Sequence, residues 1–137
     1  MKFNWENSLV LGVKQMDDEH QVLIKKVNVL FDALGDPNKS SLVILETIDF
    51  LATYVVDHFN SEEKLQKKYH YPAFNDHHKI HEDFKKDVVD LKKDIENNGL
   101  TVSKKLAINK KLMTWLTHHI GVEDRKLADH IKSQIKK

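Results

Sequence analysis

Six side chains interrupt the apolar stripes of this chain, and all six are of metal-binding types: His20, His58, Glu62, His77, His81 and His119. Imidazole and carboxylate together suit iron, and also zinc, copper or manganese. His58 and Glu62 are spaced i,i+4, as are His77 and His81, so each pair shares one face of a helix. Either pair alone is a weak signal, because helix surfaces produce such spacings readily. A single histidine on an apolar face is more often a hydrogen-bonded core residue than a ligand. Gathered in one interior without a metal or counter-charge, however, five imidazoles and a carboxylate would each carry a desolvation cost. A metal site is therefore the better reading. Asp124 supplies the further acid that completes the set. It follows His119 by five positions, which in an α-helix leaves the two side chains about 140° apart. A π-type turn would bring them closer, and Gly121 lies between them to ease the distortion. Irregular helix or a break is expected at 120–123.

The stretch "TWLTHHIGVEDRKL" offers two registers of equal spacing, His118 with Glu123 or His119 with Asp124. The neighbouring residues decide between them. Ile108, Leu112 and Trp115 lead inward to His119, whereas Lys111 and Thr114 lead outward to His118. His78 shares its face with Glu82 and Lys85, His70 sits in the turn before Pro72, and His130 flanks the last apolar stripe. With His118, these are expected to be solvated rather than ligating.

The elements that must position the seven follow from the same periodicity. Met16, His20, Leu23, Val27, Leu30 and Leu34 form one stripe; Ile48, Leu51, Val55, His58, Glu62 and Leu65 a second; His77, His81, Phe84, Val88, Leu91 and Ile95 a third; and Ile108, Leu112, Trp115 and His119 a fourth. Alternating three- and four-residue steps mark helices with one inward face. The spacing predicts helices over roughly 17–34, 41–68, 75–97 and 103–120, with a short one near 124–135. Gly35, Pro37 and Ser40 or Ser41 punctuate the first break, Pro72 and Asn75 the second, and Gly99 with Thr101 or Ser103 the third. Short connections between long helices make an all-α, antiparallel, up-down-up-down four-helix bundle with an N-terminal arm and a short C-terminal helix. In that topology the ligand-bearing ends of all four helices meet at one end of the molecule.

The 137 residues fit a single domain, 1–137. There is no cysteine, which removes disulfides, thiolate metal sites and a cysteine nucleophile. A net charge of +1 argues against nucleic acid as a partner. No apolar run approaches the ~20 residues that span a bilayer, and the N-terminus lacks a signal-peptide pattern. A cytoplasmic protein without stable membrane insertion is expected.

Seven ligands exceed the six positions of one octahedral ion, so two metals are implied, bridged by the two carboxylates and an oxygen from water. Five histidines then divide three and two, leaving one metal closed and the other with an open position. Structural zinc, which prefers four ligands in a tetrahedron, fits poorly. The side chains expected around the open position are apolar: Leu23, Phe59, Trp115, Leu116 and Ile120. They could equally be ordinary core, and both roles are compatible. A small neutral ligand suits such a lining better than a polar substrate does.

These residues carry a resemblance to the hemerythrins, specifically the single-domain bacterial hemerythrins. It covers nearly the whole chain: the N-terminal arm with Trp5, "DDEHQVL" around His20, "HFNSEE" at 58–63, "YPAFNDHHKIHEDF" at 71–84 and "WLTHHIGVED" at 115–124. The resemblance implies a non-haem di-iron centre, with an oxo or hydroxo bridge, that binds O2 reversibly. It implies that His77, His81 and His119 hold the closed iron, that His20 and His58 hold the open one, and that Glu62 and Asp124 bridge both. Oxygen carriage, storage or delivery is the implied role rather than catalysis, with NO or azide as further small ligands. A di-iron enzyme (a peroxidase, an oxidase or a nitric-oxide-handling protein) and an iron-homeostasis protein are the alternatives. Two positions depart from the family pattern: Gln66 where methionine is common, and His70 where glycine is.

Overall fold

A computed structural model of the chain describes residues 3–135. The helices are α1, Lys14–Gly35; α2, Ser41–Lys68; α3, Phe74–Asn98; α4, Val102–His118; and α5, Arg125–Ile135. A π-helical segment, His119–Asp124, joins α4 to α5, and the N-terminal arm contains one 3-10 turn at Asn7–Leu9. The first four helices form an antiparallel bundle in which α1 packs against α2 and α4, and α2 against α3. Among the described residues no helix is long and apolar enough to cross a membrane.

The helix ends show which local signals decided the boundaries. Ser40 caps α2 by accepting from the Val43 N–H at 3.2 Å, and Thr101 caps α4 by accepting from the Lys104 N–H at 3.1 Å. Gly99 closes α3 at φ 73. Asn75 is not a cap: α3 begins one residue earlier, after Ala73, with no side-chain cap. Helix α1 begins at Lys14, before the expected position, because its first turn is tied to the arm. The Asp17 carboxylate accepts from Leu11 N–H at 2.8 Å and Gly12 N–H at 3.1 Å. His70, just past the end of α2, has φ 54. Left-handed backbone costs an L-residue about 1–2 kcal/mol and glycine almost nothing, so this turn would suit glycine better than histidine.

Two apolar clusters divide the interior. The larger runs along α1 and α2, through Leu23, Val27, Leu30, Phe31, Ile48 and Phe59, and takes in Leu116 and Ile120. The smaller one, Leu11, Met16, Leu127, Ala128 and Ile131, packs the arm and α5 over one end of the bundle. Helices α3 and α4 leave between them an apolar cleft of about 290 Å³ bounded in part by Val55, Phe84, Val88, Leu91, Ile108 and Trp115. Met16 and Leu23 flank His20, and Ile120 and Leu127 flank Asp124, so the polar cluster described next lies between the two apolar regions.

Candidate metal centre

The bundle brings His20, His58, Glu62, His77, His81, His119 and Asp124 together, each at most 2 % exposed. They come from α1, α2, α3 and the π segment. Their polar atoms are ordered in a specific way. The Nε2 atoms of His20 and His58 lie 3.2 and 3.1 Å from Glu62 Oε2, and His20 Nε2 lies 2.9 Å from Asp124 Oδ2. The other three histidines face the opposite oxygens. His81, His77 and His119 Nε2 lie 3.2, 3.7 and 3.7 Å from Glu62 Oε1, and His77 and His119 Nε2 lie 3.0 and 3.2 Å from Asp124 Oδ1. Each carboxylate thus divides its oxygens between the two sets of imidazoles.

Few of these short contacts are hydrogen bonds. His20 Nε2 to Glu62 Oε2 has that geometry. His58, His77, His81 and His119 Nε2, Glu62 Oε1 and both Asp124 oxygens are buried without a hydrogen-bond partner among the described residues. Atoms this close that are not aimed at each other converge instead on shared points between them. Two such groups, Glu62 with His77, His81, His119 and Asp124, and His20 with His58, Glu62 and Asp124, have ligand atoms within 4.8 Å of one another and could each hold a metal ion. Each of these atoms, left unsatisfied, would cost about 1–3 kcal/mol, so the donor set fits a bound cation.

The outer ring nitrogens show how the imidazoles are held. His58 Nδ1 donates to Glu19 Oε1 at 3.0 Å, and His81 Nδ1 donates to Glu63 Oε2 at 3.0 Å. Glu19 is fixed in turn by the Ser61 hydroxyl at 2.7 Å, and the Tyr54 hydroxyl donates to the Glu19 carbonyl at 2.9 Å. Sequence reasoning missed both glutamates. Their only signal was adjacency, since Glu19 precedes His20 and Glu63 follows Glu62. Carboxylates behind imidazoles set the tautomer that leaves Nε2 free and raise its basicity. Aromatic rings complete the walls: Phe59 stacks on His81 at 3.7 Å between centroids, and Trp115 stacks on His119 at 4.4 Å.

Electrostatics follow from the crowding. Burial alone would lower the pKa of His20, but Asp124 and Glu62 outweigh it and raise it to about 9. Burial likewise opposes His58, which Glu62 and Glu19 raise to about 10. Glu62 is held well below the usual carboxylate range: burial pushes it up, and His58, His119 and His20 more than reverse this. A pocket that stabilises protons on imidazole beside two carboxylates is one that also attracts a divalent cation.

The remaining histidines separate as follows. His118 is 63 % exposed and pairs with Glu123 at 3.3 Å, on the outer face. His78 is half-exposed and donates to Glu63 Oε1 at 2.9 Å, so it shares a carboxylate with His81. His70 is exposed. His130 differs from expectation: it is only partly exposed, and its Nε2 donates to the Tyr69 carbonyl at 2.7 Å, which ties α5 to the end of α2.

The chain widens into a π-helix over His119–Asp124, and the extra residue per turn brings Asp124 onto the face of His119. The space and backbone at Gly121 do not require a glycine. Its φ is not in the left-handed region, and a Cβ added there would meet nothing within 4 Å. Arg125 supports the widened turn, donating from Nε to the Gly121 carbonyl at 3.3 Å and from its guanidinium to the Ser8 carbonyl. Gly121→Ala is therefore expected to keep its metal content and gain about 0.5–1 kcal/mol in thermal melts. Loss of metal in that variant would return the bend to the glycine.

The chain is similar to known proteins in both sequence and fold. Residues 11–131 match the sequence model of the hemerythrin HHE cation-binding domain. A bacteriohemerythrin of Stenotrophomonas maltophilia is 29 % identical over 131 residues, covering 96 % of this chain and 82 % of the relative. A hemerythrin-like protein of Naegleria gruberi is 32 % identical over 125 residues, covering 90 % and 89 %. The crystal structure of a wild-type hemerythrin superposes with a TM-score of 0.80 at 26 % identity, covering 94 % of this chain and 97 % of the other.

Proposed function

The chain belongs to the hemerythrin family, and from that premise we propose that it binds O2 reversibly at a non-haem di-iron centre, as a carrier, store or source of oxygen rather than an enzyme. One observation carries the reading: Glu62 presents one oxygen to two histidines and the other to three, and Asp124 divides its oxygens between the same two sets. A single metal has no use for that division, whereas two metals of unequal coordination do. His77, His81 and His119 would hold one iron, His20 and His58 the other, and Glu62 and Asp124 both. When bound, the iron pair would supply the electrons for O2 binding.

The protein's part is to orient and to keep dry. Glu19 and Glu63 lock the rings of His58 and His81. Leu23, Phe59, Leu116 and Ile120 are each at most 1 % exposed, and Trp115 is packed against the same core. We assign these five to the lining of the ligand position. They offer no general acid and exclude water, which favours a neutral diatomic over a polar substrate.

The test is metal analysis followed by visible spectra under alternating argon and air. The expected result is two irons per chain and a colour that appears with air and fades with argon. Bleaching that does not reverse, with turnover of a peroxide-oxidised dye, would overturn the reading in favour of a di-iron enzyme. One zinc and no iron would overturn the site itself.

A further inference from the structure

Gln66 lies one helical turn beyond Glu62 on α2, on the inward face that carries His58 and Glu62. It is fully buried, and neither its amide oxygen nor its amide nitrogen meets a partner among the described residues. Such a group is retained where something in the same space bonds it, since each orphaned atom is otherwise a cost. The backbone shows what shares its corner. The Gln66 carbonyl accepts from the Tyr71 N–H at 2.8 Å, which folds the α2–α3 connection back over it. The Tyr71 ring stands edge-on to the His77 ring, with centroids 6.3 Å apart. His77 Nδ1 is buried and also lacks a partner among the described residues. His58 and His81 use their Nδ1 atoms to reach Glu19 and Glu63, and His77 has no carboxylate in that role among the described residues. Helices α2 and α3 run past each other with His78 on Glu63 and Lys67 over the Phe74 ring, which sets the inward-facing Gln66 level with the first turn of α3, where His77 also faces inward. A water between them would find in Gln66 Oε1, Gln66 Nε2 and His77 Nδ1 the two-to-four polar neighbours it needs.

We propose that Gln66 is a positioning residue for His77: it holds one buried water that accepts the His77 Nδ1 proton, and so keeps Nε2 turned toward the metal cluster. The His20 and His119 Nδ1 atoms are buried and unpartnered among the described residues too, but the Tyr71 link runs to His77. The chemistry differs from that at His58 and His81. A carboxylate adds negative charge behind its imidazole, whereas an amide and a water orient the ring and leave its charge unchanged. The inference rests on reading His77 as a metal ligand.

The probe is Zn(II), which is diamagnetic, bound to the full chain labelled with ¹⁵N-histidine. Solvent exchange of each Nδ1 proton is followed by NMR, and a crystal structure of the same zinc form is examined for the water. In the wild type, a water is expected between Gln66 and His77, with the His77 proton protected. Gln66→Leu should speed exchange of that proton at least tenfold and leave those of His58 and His81 alone. Gln66→Glu, which keeps an acceptor oxygen, should retain protection. Unchanged exchange at His77 in Gln66→Leu overturns the inference, as does a change at His20 or His119 instead. Should both variants fail to fold, the wild-type crystal decides: no water between the two side chains overturns it. A protein that takes zinc at His77 but never binds O2 with iron sinks the proposed function and leaves this inference standing. Zinc that never perturbs the His77 ring overturns both.

Discussion

His119→Ala is expected to lose tightly bound iron and the proposed reversible O2 binding, while His118→Ala is expected to keep both. The two residues are adjacent, chemically identical, and each is followed at the same spacing by an acid. Their surroundings differ entirely. His119 is 1 % exposed, its ring stacked on Trp115, with Nε2 3.2 Å from Asp124 and 3.7 Å from Glu62. His118 faces solvent against Glu123. An exposed pair of that kind is worth about 0–1 kcal/mol, so His118→Ala should leave metal content unchanged. Removing an outer partner of a ligand costs about 10–100-fold in metal affinity, and removing the ligand itself should exceed that. His119→Ala also opens a space beside Trp115. Melts of the metal-stripped variant separate that packing loss from the loss of a ligand. Iron quantified after gel filtration, with spectra under argon and air, distinguishes the two variants. Equal behaviour would move the site to the other register or dissolve it.

Metal-stripped protein is expected to be most stable in mildly acidic solution and to weaken as the pH rises toward 10. In the folded chain His20 sits at about 9, raised by Asp124 and Glu62, and His58 at about 10, raised by Glu62 and Glu19. In an unfolded chain both return to about 6.5. The folded state therefore binds more protons between those values, so the stabilisation is complete below about pH 6.5 and is lost as pH rises through about 9 and 10. Glu62 and Asp124 are shifted the other way, below their ordinary values. Their contribution is present above about pH 4 and is lost on further acidification. The optimum lies between, at roughly pH 4.5–6.5. Because the two histidines share carboxylates, their effects do not add; a loss on the order of 3–4 kcal/mol, or roughly 10 °C in melting temperature, is expected across the alkaline limb. Metal reverses the slope, since it displaces those protons and is itself displaced by acid. Circular-dichroism melts from about pH 5 to 10, with chelator and with metal, test both signs. Stripped protein whose stability is flat or rising over the upper part of that range would refute the account.

Both predictions depend on residues that are legible to different degrees in the sequence alone. The apolar stripes, the breaks near Ser40 or Ser41, at Gly99 and near Thr101 or Ser103, and the choice of His119 over His118 are local facts. Each depends on spacing within one helix, and helical geometry converts spacing into direction without reference to the rest of the chain. The widening before Asp124 is legible for the same reason, because five residues of α-helix cannot align two side chains.

What crosses between helices is not legible there. Which oxygen of Glu62 faces which histidine, Glu19 behind His58, Glu63 shared by His81 and His78, and His130 on the Tyr69 carbonyl all depend on the axial register and rotation of packed helices. The same holds for Asp17, whose hold on the arm starts α1 early, and for Arg125, which supports the turn that spacing alone would credit to Gly121. Periodicity names the face a residue occupies. Only the packed bundle sets the few ångströms, along and around each helix, that decide which atom on that face meets which.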